Sequence, residues 1–291
     1  MSAVTTPTDL TITPRDLRVD RNTRNARWWH GGDPVATAYF NALSAAFPQG
    51  ETFFIESVRR FRDQVDEPLR QQIAAFVQQE AMHTREHVVF NKLLRGAGYD
   101  LSAMDAETRR RVDEARSRPP VVQLALTVAL EHFTAIMAHS LLTEREPLPG
   151  ASEDIVRLWQ WHAIEEIEHK AVAYDTFVAV TQHIGPLRRW LLRCHVMGLV
   201  SLQFWYSNFQ RMADFFRQDG INTPRTWWRV AKYLLVKPGM MRRIFWDYLR
   251  FYGPGFHPWH RDDRRLIAEV ERKLAIAVAA PEVALTTPAR I

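Results

Sequence analysis

The feature that most constrains this chain is a short pattern that occurs twice, Glu80-Ala-Met-His83 and Glu166-Ile-Glu-His169. Residues three apart on an α-helix share a face, so each pair can offer one carboxylate and one imidazole to a single ion. One such pair would mean little, because Glu and His are common on helices. Here each pair has a further glutamate in the helical stretch before it, Glu51 for the first and Glu131 for the second. Counting from the turns at Pro68 and Gly150, the members of each hairpin reach similar heights at about 1.5 Å per residue. Glu131 also interrupts the nearly continuous apolar run VVQLALTVALEHFTAIMAHSLL. An unpaired carboxylate there would be costly, and metal ligation is the simplest remedy, with a salt-bridged core glutamate as the plainer alternative.

Helical periodicity, few alternating β-type runs and only 12 glycines predict an all-α chain. A polar arm, ordered on contact or disordered, is expected over 1–33, its end pinned by Trp28 and Trp29. Helices are expected from Pro34 to Ala46 and, after an interruption at Pro48-Gln49-Gly50, from Glu51 to Val65. Others follow from Pro68 to Arg95, from Pro120 to Glu144, and unbroken from Ser152 to before Gly185-Pro186. The charged connection 99–118 carries at most a short helix. The order Glu, ExxH, crossover, Glu, ExxH is that of a ferritin-like four-helix bundle, here over 34–186. An aromatic-rich extension of additional C-terminal helices over 187–280 is expected to pack on the bundle, and 281–291 to form a tail.

The preferred ligand set is therefore Glu51, Glu80, His83, Glu131, Glu166 and His169, holding two metal ions. Cys194 is the only cysteine, so no thiolate site and no disulfide within the chain can form. Oxygen and nitrogen donors of this kind favour iron, with manganese or zinc as alternatives. More candidates crowd the same levels: His87, His132 and His162 as partners that orient the ligands or as extra ligands, Glu165 in place of Glu166, and Glu56 in place of Glu51. His139 and Glu86 read as ordinary polar positions. No GxSxG, phosphate loop or HExxH is present.

The segments FPQGETFFIESVRRFRDQV, FVQQEAMHTREHVVFN, ALEHFTAI, WQWHAIEEIEHKAVAYD and GFHPWH together resemble the bacterial family labelled predicted metal-dependent hydrolase, over about residues 30–262. The resemblance implies metal binding at the Glu and His positions already named. Three chemistries are open. The carboxylate-rich bundle favours a di-iron, O2-dependent oxidation of a small hydrophobic or lipid-like substrate, with an electron donor as partner. In that reading Phe133, Phe54 and Met137 line a channel or simply pack the core. The alternative is hydrolysis by a metal-activated water with Glu165 as the catalytic proton shuttle. Metal storage or peroxide detoxification is the third.

A single cysteine, which fits a reducing compartment, and the absence of a secretory-type apolar segment predict a cytoplasmic chain. Trp227, Trp228, Arg229, Arg242, Arg243 and Trp246 mix aromatic and cationic groups. That mixture suits peripheral contact with an anionic membrane surface. No nucleic-acid module is recognisable, and a homodimer is an open expectation. His257 and His260 are expected to cap the structure rather than bind metal.

Overall fold

A computed structural model describes residues 5–21 and 25–274, and these contain helices and no strand. Helix α1 spans Pro34–Arg59, α2 Leu69–Gly96, α3 Ser102–Arg116, α4 Pro120–Leu142, α5 Glu153–Glu168 and α6 Val172–Val180. Helices α7 (Pro186–Gln218), α8 (Pro224–Leu235), α9 (Met240–Arg250) and α10 (Arg264–Leu274) follow. Helix α1 runs along α2, and α4 along α5 and α6; α1 and α4 join the two pairs into one bundle. Helix α7 covers α1 and α4, α9 packs on α4, and α8 lies against α1 and α9. The expected tail over 281–291 and the end of the expected extension over 187–280 lie outside the described residues.

Helix α1 starts where Asp33 caps the backbone N–H groups of Val35 and Ala36, with Pro34 in the first turn. It then runs through Pro48, where an interruption was expected. Proline removes the bond to the carbonyl four residues earlier, that of Ser44. The Asn91 side-chain amide donates to that carbonyl at 2.9 Å, so the freed acceptor is satisfied inside the core. Burial of Ala42, Ala45, Phe53 and Phe54 on both sides of the proline holds the helix together. The second ExxH helix shows the opposite deviation. It stops after Glu168 and resumes at Val172, with His169 at its C-terminal cap. The buried Lys170 is drawn out of helical register toward Asp263, 2.6 Å from its Nζ, and the Arg261 carbonyl.

The connection 99–118 forms a full helix, α3, rather than a short one. The long apolar helix α4 could span a membrane by length and composition alone, but most of it is buried within the bundle. The arm before α1 docks on the protein wherever it is described. Ile12, Leu17 and Val19 are buried. The backbone N–H groups of Thr13, Arg15 and Val19 donate to the carboxylates of Glu168, Glu165 and Glu86 at 2.8 to 2.9 Å. Trp29 Nε1 donates to Asn41, and Trp28 Nε1 to Asp219, closing the arm onto α1 and the end of α7.

Candidate metal centre

Four helical elements point polar groups at one another in the middle of the bundle. Glu51 comes from α1, Glu80 and His83 from α2, Glu131 from α4, Glu166 from α5 and His169 from its C-terminal cap. All six are buried, four of them without measurable or with 1 % exposure. His169 Nε2 lies 3.2 Å from Glu80, 3.3 Å from Glu131 and 3.7 Å from Glu166. His83 Nδ1 lies 3.6 Å from both Glu80 and Glu166. Donor atoms around one ion at about 2.1 Å are themselves roughly 3.0–3.4 Å apart, so these separations suit a shared cation.

Hydrogen bonding supports the same reading. Glu51 Oε1, both oxygens of Glu80, both oxygens of Glu131, Glu166 Oε2, His83 Nδ1 and His169 Nε2 are buried with no hydrogen-bond partner. Buried carboxylate oxygens without partners are expensive, and a cation is what this donor set fits. The ligand atoms fall into overlapping groups: Glu80, Glu131, Glu166 and His169; Glu51, Glu80 and His83; His83, His162 and Glu166; and Glu51, His87 and His162.

The two imidazoles are oriented through their far nitrogens. His83 Nε2 lies 3.0 Å from Glu165, and His169 Nδ1 lies 2.9 Å from Gln79 Oε1. Gln79 Nε2 donates to Glu168 at 2.7 Å, which fixes the amide orientation. Both chains of contacts end on Arg15, which reaches Glu165 at 3.4 Å and Glu168 at 3.0 and 3.1 Å. With its outer nitrogen donating outward, each ring would turn the lone pair of its inner nitrogen to a cation that displaced the proton there, the arrangement a metal ligand needs.

A second polar chain leads away from Glu166. His162 Nε2 lies 2.8 Å from Glu166, His162 Nδ1 2.7 Å from His87 Nε2, and His87 Nδ1 2.8 Å from Ser44 Oγ. Ser44 Oγ donates to Asn91 Oδ1 at 2.9 Å. The tautomers of His87 and His162 set which way each of these contacts runs.

Electrostatics separate the ligands. Burial, with Glu80 nearby, pushes the Glu51 carboxyl well up. Burial pushes Glu131 up to about 8 despite the His169 ring beside it. Burial also opposes ionisation of Glu166 and Glu80, but contacts with His162 and His169 hold Glu166 well down, and His169 and His83 hold Glu80 down. Burial opposes the charge on His83 too, yet Glu165 and Glu80 raise it to about 10. Burial, then the neighbouring imidazoles, pushes His87 and His162 down. Burial opposes the charge on His169 as well, yet Glu131, Glu166 and Glu80 push it well up, so the two histidines balance Glu80 and Glu166 while burial favours the protonated forms of Glu51 and Glu131.

A cavity of about 960 Å³ reaches this centre, with Glu166 and His162 among its lining residues. Tyr39, Phe40, Leu43, Met137 and Trp159 form apolar walls, while Glu144, Arg145, Lys237 and Arg243 add charged groups. One edge depends on a close backbone approach. A Cβ on Gly150 would fall 2.6 Å from Gly31 Cα, so both positions require glycine.

The structure brings together all six expected ligands, with His87 and His162 beside them. It does not bring His132 there: its Nε2 faces the Asp247 carbonyl at 3.1 Å, among Phe251 and Phe256. Glu165, expected as a shuttle or a substitute ligand, has one oxygen on the Arg15 backbone and the other on His83. Glu56 is half-buried away from the centre and pairs with Arg116. Glu86 binds Arg85 and the arm, and His139 faces Asp263. Met137 lines the cavity, while Phe133 stacks on Phe204 and Phe54 packs in the core. His257 and His260 form a mutual cap at the loop before α10, where His257 also meets Asp175. Sequence reasoning missed Arg15 and Gln79, which carry no motif.

The family described as predicted metal-dependent hydrolase matches residues 13–262, from the arm through the loop before α10. No curated protein and no solved structure matches the chain.

Proposed function

Because the chain belongs to the family of predicted metal-dependent hydrolases, we propose that it hydrolyses an ester or amide bond at a two-metal centre held by Glu51, Glu80, His83, Glu131, Glu166 and His169. The observation that carries this reading is the set of unpartnered buried oxygens and nitrogens at the inner end of a large apolar cavity. When bound, the ions would lower the pKa of a water and polarise the substrate carbonyl.

The chain's own residues supply binding and proton handling. Apolar walls from α1, α4 and α5 hold the substrate and keep bulk water from the centre. Glu166 and His162 are the titratable pair at the inner end of the cavity. His162 reaches Glu166 at 2.8 Å, and with His87 and Ser44 it forms the path along which a proton would reach the departing alcohol or amine. Glu165 and Gln79 keep the His83 and His169 rings turned inward.

The O2-dependent oxidation expected from the bundle pattern gains no support from the family, and the hydrolytic alternative takes its place. Elemental analysis of protein purified without chelators, with a p-nitrophenyl ester assay before and after chelation, tests the proposal. We expect ester cleavage that disappears with the metal and returns on adding zinc or manganese. Undiminished cleavage after chelation, or O2 uptake by Fe(II)-loaded protein with no ester cleavage, would overturn it.

A further inference from the structure

The α8–α9 hairpin presents to solvent what a soluble helix pair normally hides. On α9, Arg242, Phe245, Trp246 and Leu249 follow the i, i+3, i+4, i+7 spacing of one face. The opposite face, with Met240, Ile244 and Phe251, is the one buried against the body. Trp246 is 69 % exposed, Trp228 on α8 63 %, and Val236 in the connecting turn 61 %. Two amphipathic helices and their turn thus carry apolar groups on the outside as well as the inside. Apolar surface of this kind marks an interaction site.

Charge identifies what covers it. Residues 224–250 contain seven Arg and Lys against one acid, Asp247. Asp247 is already paired with Arg250 and Arg261. Arg225, Lys232, Lys237 and Arg242 are exposed and form no ion pair recorded among the described residues. Lys232 lies over the exposed Trp228 ring at 5.5 Å, joining cation and aromatic on one surface. Tryptophan and phenylalanine among unpaired cations fit the interface of an anionic bilayer.

The same hairpin lines the cavity. Lys237 and Pro238 in its turn, with Met240 and Arg243 at the start of α9, belong to the wall of the pocket that ends at Glu166 and His162. The exposed apolar turn, Leu235 and Val236, directly precedes them in the chain. We propose that the α8–α9 hairpin docks on anionic membrane, and that the cavity draws in the hydrocarbon chain of a membrane amphiphile. This rests on the hydrolytic reading only for the fate of that amphiphile. Its ester or amide group would be brought to the centre with the chain along Tyr39, Leu43 and Met137.

Flotation of the full-length, metal-loaded protein tests the docking, using vesicles of phosphatidylcholine alone and of phosphatidylcholine with equal phosphatidylglycerol. We expect flotation with the second and not the first. Arg242→Glu should lower the partition about thirtyfold, from a reversal of roughly two charge contributions. Phe245→Glu with Trp246→Glu should abolish flotation while metal content and short-chain ester cleavage stay unchanged. A pyrene-labelled palmitate reports on the cavity: the wild type should bind it, and Ala138→Trp, which fills the cavity from its α4 wall, should not while still floating. Absence of flotation with either vesicle overturns the docking. So does a dimer that the double variant converts to monomer and that binds no vesicle. Equal probe binding by Ala138→Trp overturns the cavity assignment. Flotation and probe binding without ester cleavage uphold this inference and refute hydrolysis.

Discussion

The centre of the bundle and the α8–α9 hairpin break the same rule in opposite directions. Between α1, α2, α4 and α5 the protein buries four carboxylates, many of whose oxygens have no partner. On α8 and α9 it exposes tryptophan, phenylalanine, leucine and valine. Ordinary partition places charge outside and apolar surface inside, and each departure costs free energy in the isolated chain. On the readings proposed above, each would be removed by something other than this chain: a cation in one region, an amphiphilic surface in the other. The two differ in how far the chain has prepared for its partner. The centre is braced by Arg15, Gln79, Glu165 and Glu168, whereas the hairpin face is simply left open.

The largest effect that could break this comparison is at Glu131. Glu131→Ala removes a carboxylate shared by the group that contains Glu80, Glu166 and His169. We expect elemental analysis to find at least one ion lost. The metal-induced stabilisation, about 4 kcal/mol when metal is at 1,000 times its dissociation constant, should shrink accordingly and be read as a smaller rise in thermal midpoint. Full metal occupancy in that variant would mean that the orphaned oxygens are not ligands.

The bracing ranks next. Arg15→Met leaves Glu165 and Glu168 buried without their cation. Breaking a buried ion pair from one side costs about 3–5 kcal/mol, and loss of partners behind metal ligands weakens metal affinity about 10- to 100-fold. Urea unfolding and metal titration measure the two effects separately. Wild-type metal affinity in a destabilised variant would confine Arg15 to a structural role.

His132 offers a smaller, pH-dependent contrast within α4. Burial pushes its pKa down to about 3, because the ring packs among Phe251 and Phe256 and stays neutral. The unfolded ring takes up a proton below about 6.5, while the folded one does not. Stability from this group is therefore full above 6.5 and falls toward pH 3, by up to about 1.4 kcal/mol per pH unit. His132→Asn should flatten the dependence of unfolding free energy on pH by one proton over that window. An unchanged slope would show that the ring is already solvated.

These cases also show what could be read from the sequence. The convergence of the six central residues was legible because helical spacing alone places Glu80 with His83 and Glu166 with His169 on one face, and turn positions set their heights. His132 was grouped with them by height, yet it follows Glu131 immediately. Consecutive helix residues point about 100° apart, so it faces the α9 side instead. Arg15 was not legible, because its role depends on an arm meeting α5 some 150 residues later in the chain. Pro48 misled for a similar reason: the acceptor it frees is satisfied by Asn91, far along the sequence. The break at His169 likewise follows from Lys170 reaching Asp263, a contact that no local pattern announces.

The smallest effect is the one that tests the other half of the comparison. Trp246 is exposed and its ring touches only Phe245 among the aromatic contacts, so its removal takes little apolar area out of a packed environment. Trp246→Ser should therefore change the unfolding free energy by no more than about 0.5 kcal/mol, the usual range for surface positions. A buried tryptophan would cost roughly 3–5 kcal/mol on truncation. Chemical unfolding at low protein concentration distinguishes these outcomes without lipid or metal. A loss in the larger range would show that Trp246 is already covered in solution, by another copy of the chain or by the body of this one. The hairpin would then be packed as thoroughly as the core, and the contrast between a braced centre and an open face would disappear. A near-zero change leaves a surface that contributes nothing to folding, which means that its apolar character is maintained by something other than stability.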